Sequence, residues 1–273
     1  MRENNLKFLR RLEGEQKFTT EAINKFIEQV ERPLKNDNDI NRVEICILKY
    51  NRPDCEKECV ANIIDQTPYP YKLNLFDNRP NSGNMSKIWN KLIKESTCEY
   101  VLIMDSDAFV QNEYWLEGLV ECFTLNRDCA VAVPLIGKSG GPMIQQGHLS
   151  EYRPEPLQIN GHASGFCFLT KKSIMEELGY FDEDFYIFGQ DSEMFERIMQ
   201  DNKYKIYLSR RSLVHHGKDT SEVNAKDGEN IWSFSNSTRK ASEAGEFDWG
   251  LDTMYCQQAL QMKFNNNYYP RNK

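Results

Sequence analysis

Two aspartates, Asp105 and Asp107, flank a single serine and directly follow the apolar run Val101-Leu102-Ile103-Met104. Carboxylates one residue apart repel each other unless a cation sits between them, or between one of them and a bound phosphate. Mg²⁺ or Mn²⁺ suits such an all-oxygen pair. Asp and Ser are also common where a strand ends in a turn, so the tripeptide alone leaves both readings open. A second acidic group, Asp191 and Glu193, opens the apparent helix Ser192 to Met199 just after Gly189-Gln190. Acids in a first helical turn can serve as caps favoured by the helix dipole. They can equally take a proton from an attacking hydroxyl, and Asp191 is the candidate general base. The pair His215-His216 follows the strand-like Lys205 to Leu208. A histidine is often structural, yet neutral imidazole also completes a carboxylate site for Mn²⁺. A zinc hydrolase would need further His or Cys at tight spacing, which the sequence lacks.

The elements that would hold these groups alternate between strand and helix patterns. Val43 to Leu48 reads as a buried strand ending at Tyr50-Asn51-Arg52-Pro53, and Asp54 to Gln66 as the helix after it. Lys72 to Phe76 is a second strand, ending in Asp77-Asn78. A helix over about Ile88 to Glu95 then leads to a third strand, Tyr100 to Met104. Strands separated by helices predict an α/β fold with a doubly wound, mostly parallel sheet, whose ligands bind beyond the carboxyl ends of the strands. Each polar cluster sits at such an end. Further along, Trp115 to Leu125 reads as a helix, Ala130 to Pro134 as a strand and Gly137 to Arg153 as a loop. Phe166 to Leu169 is strand-like and Lys172 to Leu178 helical.

Three regions follow from this pass. Residues 1–41 read as a helical appendage, with a capped amphipathic helix after Thr19-Thr20, and a linker; 42–220 as the catalytic domain; and 221–273 as an irregular C-terminal extension.

Composition sets outer bounds. With 273 residues, 40% hydrophobic and 27% charged, the chain is apolar enough for a large core and too apolar for disorder. A formal charge of -7 argues against broad nucleic-acid binding, which needs clustered Lys and Arg. The apolar runs are too short to span a bilayer, Met1 to Arg11 lack a hydrophobic signal, and the eight cysteines form no CxxC pair. Reduced thiols and a cytoplasmic location are the expectation.

In their order and intervals these segments resemble family 2 glycosyltransferases of the GT-A fold, in the style of rhamnosyltransferase-like members. The resemblance runs from about Val43 to Ser221. It rests on Tyr50-Asn51-Arg52-Pro53, Phe76-Asp77-Asn78, Asn81-Ser82-Gly83 with Asn90, Asp105-Ser106-Asp107 and Ala163-Ser164-Gly165-Phe166. It continues through Leu178 to Glu183, Gly189 to Glu193 with Arg197, and Val214 to Gly217. The resemblance implies a nucleoside-diphosphate sugar donor of the UDP type, bound through Tyr50, Asn51, Arg52, Asp77, Asn78, Asp105 and Gly165. Asp77 would accept a hydrogen bond from the base. It also implies Mn²⁺ or Mg²⁺ on Asp107 and Asp105 with His215 approaching, inverting transfer with Asp191 as base, and a glycan or lipid-linked glycan as acceptor. Two departures are visible: Gln190 stands where an acid is common, and the loop Arg79 to Gly83 is short. The aromatic residues after Ser221 would either stack on sugar rings or close a core. Two other activities share the motifs. One is transfer to a hydroxylated DNA base, which would use a local basic patch at Lys171, Lys172, Arg210 and Arg211; the other is nucleotide-sugar binding without catalysis.

Overall fold

The computed structural model describes residues 43–49, 53–77, 84–137, 143–147, 155–185, 188–217 and 258–264. The helical appendage read over 1–41, the donor-side residues Tyr50, Asn51, Arg52 and Asn78, and most of 221–273 lie outside these.

The fold is α/β. In chain order it comprises β1 (Val43–Lys49), α1 (Pro53–Gln66), β2 (Tyr71–Asp77), α2 (Met85–Glu95), β3 (Tyr100–Asp105), β4 (Ala108–Val110) and α3 (Trp115–Leu125). These are followed by β5 (Cys129–Ile136), β6 (Leu157–Ile159), β7 (Cys167–Lys171), α4 (Lys172–Glu177), α5 (Gln190–Gln200) and β8 (Lys205–His216). A short helix, α6, spans 258–263. The strands form one sheet in the order β2-β1-β3-β7-β5-β8-β4, with β6 paired to β8.

The central strands are largely apolar because both faces of the sheet are covered. All seven residues of β1 and all eight of β5 are buried. Two buried residues of β1 are charged: Lys49 pairs with Glu56 at 2.9 Å, and the Glu44 carboxylate accepts from Asn74 Nδ2 at 3.0 Å and Ser96 Oγ at 2.6 Å. A buried acid without such donors would cost several kcal/mol. Helix α2 begins at Asn84, whose side chain accepts from the Lys87 amide at 3.0 Å, and buries Ile88, Trp89, Leu92 and Ile93 against the sheet.

The sheet is mixed and mostly parallel: five of its eight strands run one way, while β7 and the short β4 and β6, both paired to β8, run the other. Strands β1, β2, β3, β5 and β8 share a direction, since β1 pairs in parallel with β2 and β3, and β5 with β8. Strand β7 runs against both β3 and β5 and separates them. Its reversed direction brings the chain just before it, residues 163–166, beside the carboxyl end of β3. Strand β8 is also longer than its first four residues suggest, because it absorbs a bulge: Pro134 pairs with Ser209 and the next residue, Leu135, with Leu213. The bulge fits against α3 at Gly118, where a Cβ would come within 2.7 Å of Arg211 Cβ and Ser209 Oγ.

Candidate active site

Strand β3 ends on Asp105, the chain turns through Ser106 and Asp107, and β4 then pairs antiparallel with the end of β8. That pairing sets His216 opposite Ala108, the residue after Asp107, and the Gly217 amide donates to the Asp107 carbonyl at 2.8 Å. His216 Nε2 consequently lies 3.6 Å from Asp105 Oδ2 and 3.5 Å from Asp107 Oδ1. One atom from each of the three residues falls within 4.8 Å of the others. The His216 ring stacks on Phe166, with centroids 4.4 Å apart and planes 13° from parallel.

His215 does not join this group. Neighbours on a strand face opposite sides of the sheet. The ring of His215 lies over Gly137, where an added Cβ would be 2.0 Å from His215 Cδ2. The structure therefore brings His216, not His215, to the carboxylates.

The electrostatics of the cluster favour a cation. Burial pushes the Asp105 pKa up to about 7, against the pull of His216 and with a further push from the Asp107 and Asp191 carboxylates. Yet 27% of the Asp105 side chain remains open to solvent, so an ion can reach it. Burial also works to lower the His216 pKa, but its hydrogen bond to Asp107 and the charges of Asp107 and Asp105 outweigh it, and the net displacement is upward. Beyond burial, the neighbouring carboxylates push the Asp105 pKa up and pull the His216 pKa up, so the group favours positive charge between its members, and a proton supplies some of it. A divalent ion supplies it more fully. Two carboxylate oxygens and an imidazole nitrogen also suit Mn²⁺ or Mg²⁺ chemically, with imidazole leaning toward Mn²⁺.

Asp191 meets the same 163–166 segment. Its Oδ2 accepts from the Gly165 amide at 2.8 Å, and its Oδ1 from the Ser192 amide at 2.7 Å. Gly189, in the left-handed region at φ 78, makes the turn that starts α5 and aims Asp191 at this segment. Gly165 must lack a side chain, since a Cβ there would come 2.5 Å from Asp191 Cβ. The next residue, Phe166, accepts from the Asp105 amide at 2.8 Å. One short segment thus touches Asp191, Asp105 and His216 together.

Sequence reasoning did not reach the residue that holds this segment. Gln145 is fully buried, accepts from the Ser164 amide at 2.5 Å and donates to the Pro134 carbonyl at 3.3 Å. It lies in a stretch that reads as loop, and nothing local distinguishes it. Asp77 closes β2 in register with Lys49, while Leu48 pairs with Asp105. Asp77 therefore sits at the same end of the sheet as Asp105, two strand spacings or about 10 Å away.

The basic residues that could track a nucleic-acid backbone are largely engaged within the protein. Lys171 pairs with Glu99 at 2.8 Å, Arg211 with Glu121, and Lys172 donates to the carbonyls of Lys94 and Ser96. Among the described residues, no helix is long and apolar enough to cross a membrane. The seven cysteines described are buried.

The sequence family described as glycosyl transferase family 2 matches residues 14–179. The chain is similar to the O-antigen biosynthesis protein RfbC of Myxococcus xanthus, at 22% identity over 239 aligned residues. That alignment covers 70% of this chain and 18% of the relative, so the chain spans under a fifth of that protein's length. Two solved structures are also similar. A crystal structure of GalNAc-T7 with UDP, GalNAc and Mn²⁺ aligns with a TM-score of 0.49 and 15% identity, covering 66% of this chain and 44% of that one. A crystal structure of S. aureus TarS 1-349 aligns with a TM-score of 0.46 and 15% identity, covering 62% of this chain and 60% of that one.

Proposed function

The chain belongs to glycosyl transferase family 2, and from that membership we propose that it is an inverting, divalent-metal-dependent transferase moving a sugar from a UDP-type donor to a hydroxyl of a glycan or lipid-linked glycan. The observation that carries the reading is the convergence of Asp105, Asp107 and His216 on one point, with Asp191 tied to the same backbone segment through Gly165.

In this reading Asp105, Asp107 and His216 hold Mn²⁺ or Mg²⁺. Such an ion, when bound, neutralises the charge that develops on a departing diphosphate. The proton work falls to Asp191. The acceptor O–H gives its proton to the Asp191 carboxylate as its oxygen bonds to the sugar's anomeric carbon. The bond from that carbon to the diphosphate oxygen breaks, and UDP leaves with the electron pair. The Gly165 and Ser192 amides, donating to one carboxylate oxygen each, fix the orientation of the group. In this reading Asp77, at the same end of the sheet as Asp105, would accept a hydrogen bond from the donor's base.

The direct test is release of UDP from a panel of UDP-glucose, UDP-galactose, UDP-N-acetylglucosamine and UDP-N-acetylgalactosamine, with Mn²⁺, with Mg²⁺ and with EDTA. Metal-dependent release from at least one donor, lost in EDTA, is expected. Release that is indifferent to EDTA, or absent for every donor, would overturn the reading. The close packing at Gly165 gives a sharper check. Gly165→Ala should push Asp191 aside and lower turnover by about 100-fold, the cost of misplacing a catalytic group by roughly 1 Å. An unchanged rate would show that the Gly165–Asp191 contact has no bearing on catalysis.

A further inference from the structure

We propose that Lys263, on the short helix α6 near the end of the chain, is a positioning residue for Asp191, and that α6 is thereby part of the catalytic apparatus. The proposal rests on reading Asp191 as the base. Residues Asp182, Asp191, Glu193, Arg197 and Lys263 all lie beyond residue 179, where the family match ends.

Glu193 stands two residues after Asp191 in the first turn of α5 and is fully buried. Its carboxylate takes Arg197 in a forked pair, Nε to Oε1 at 2.7 Å and Nη2 to Oε2 at 2.9 Å. Arg197 also donates to the carbonyls of Tyr180, at 2.7 Å, and Leu178. Lys263 Nζ reaches the same Glu193 Oε1 at 2.9 Å and bonds Asp182 as well. Two acids and two bases thus close into a neutral group that joins the 178–182 segment, the first turn of α5 and α6.

A second contact holds α6 on the other side of Asp191. Leu260 and Phe264 bury themselves against Phe185, with Phe188 packed at the edge. Phe188 directly precedes Gly189, the turn that starts α5. The C-terminal segment therefore grips the chain both before Asp191, at Phe185 and Phe188, and after it, at Glu193. Loss of Lys263 leaves the Arg197–Glu193 fork intact, so α5 should stay folded. What disappears is the tie from α6 to the turn that aims Asp191.

Full-length Lys263→Met removes the charge and keeps most of the aliphatic stem, while Lys263→Arg keeps the charge. With Mn²⁺ and the UDP-sugar panel, Lys263→Met should lower kcat about tenfold through misorientation of the base, with the donor KM changed by less than about twofold. Hydrogen exchange over residues 188–193 should rise several-fold in the same variant. Lys263→Arg should recover most of both losses. Wild-type kcat and wild-type exchange in Lys263→Met would overturn the proposal. So would equal losses in the Met and Arg variants accompanied by a lower Tm, which mark a merely structural residue. Exchange is independent of the assignment of the base: if Asp191→Asn kept full turnover, that assignment would fall, while raised exchange in Lys263→Met would still establish the link between α6 and the Asp191 turn.

Discussion

Asp191→Asn is expected to lower turnover by between about 10² and 10⁴-fold, the usual contribution of a positioned general base, while UDP affinity stays within about twofold of wild type. The variant keeps the size of the side chain but cannot accept a proton from the acceptor. Two backbone amides, from Gly165 and Ser192, now donate to the two carboxylate oxygens. In Asn one of those amides faces an NH₂ group, and an unmet donor costs about 1–3 kcal/mol. A modest fall in Tm therefore accompanies the loss of rate and does not explain it. Donor binding should be spared for an electrostatic reason. Asp191 contributes to the upward displacement of the Asp105 pKa, so removing its charge eases the repulsion on the metal-binding carboxylates and on an incoming diphosphate. Titration of UDP into the variant, together with single-turnover kinetics, separates the two effects. Turnover at the wild-type rate would remove Asp191 from the base's role.

The second large effect is expected at Asp107. Asp107→Asn should weaken Mn²⁺-dependent UDP binding by more than about 100-fold, because even groups that only orient a metal ligand are worth 10–100-fold. The fold should survive, since the Asp107 contribution to the β4–β8 junction is its backbone carbonyl, which accepts from the Gly217 amide at 2.8 Å. The same substitution removes the Asp107 charge that helps hold the His216 pKa up. The cluster then exchanges a carboxylate ligand for a neutral amide oxygen. Thermal melting with and without Mn²⁺ checks this: wild type should gain Tm with Mn²⁺ and UDP, by the linkage of binding to folding, and Asp107→Asn should not. A variant with the same Mn²⁺ response as wild type would take Asp107 out of the metal site.

Much of the scaffold for this site was legible in residue order. The largely apolar run Val43 to Leu48 and the fully apolar Val101 to Met104 announce strands covered on both faces, and the polar groups just after them announce the ligand end of the sheet. Asp105 and Asp107 follow from that logic, and Asp191 from its place in the first turn of a helix. The histidine does not. Choosing between His215 and His216 depends on the side-chain parity of β8 relative to β4, and β4 is a three-residue strand, Ala108–Val110, too short to show a period. The reversed direction of β7 is likewise invisible, since the run Phe166 to Leu169 is apolar throughout and carries no sign of its orientation. Gln145, Arg197 and Lys263 matter through contacts with residues far away in the chain, and no local pattern marks such partners. Phe166 was visible as a motif member, but its stacking on His216 requires the pairing that only the folded sheet provides.

The central claim is that Asp105, Asp107 and His216 form a metal site through which a nucleotide diphosphate binds. Calorimetric titration of UDP into the full-length wild-type protein, once with Mn²⁺ and once with EDTA, tests it most directly. The account predicts one UDP per chain with Mn²⁺ and affinity at least about 100-fold weaker in EDTA. Equal affinity under the two conditions would contradict it.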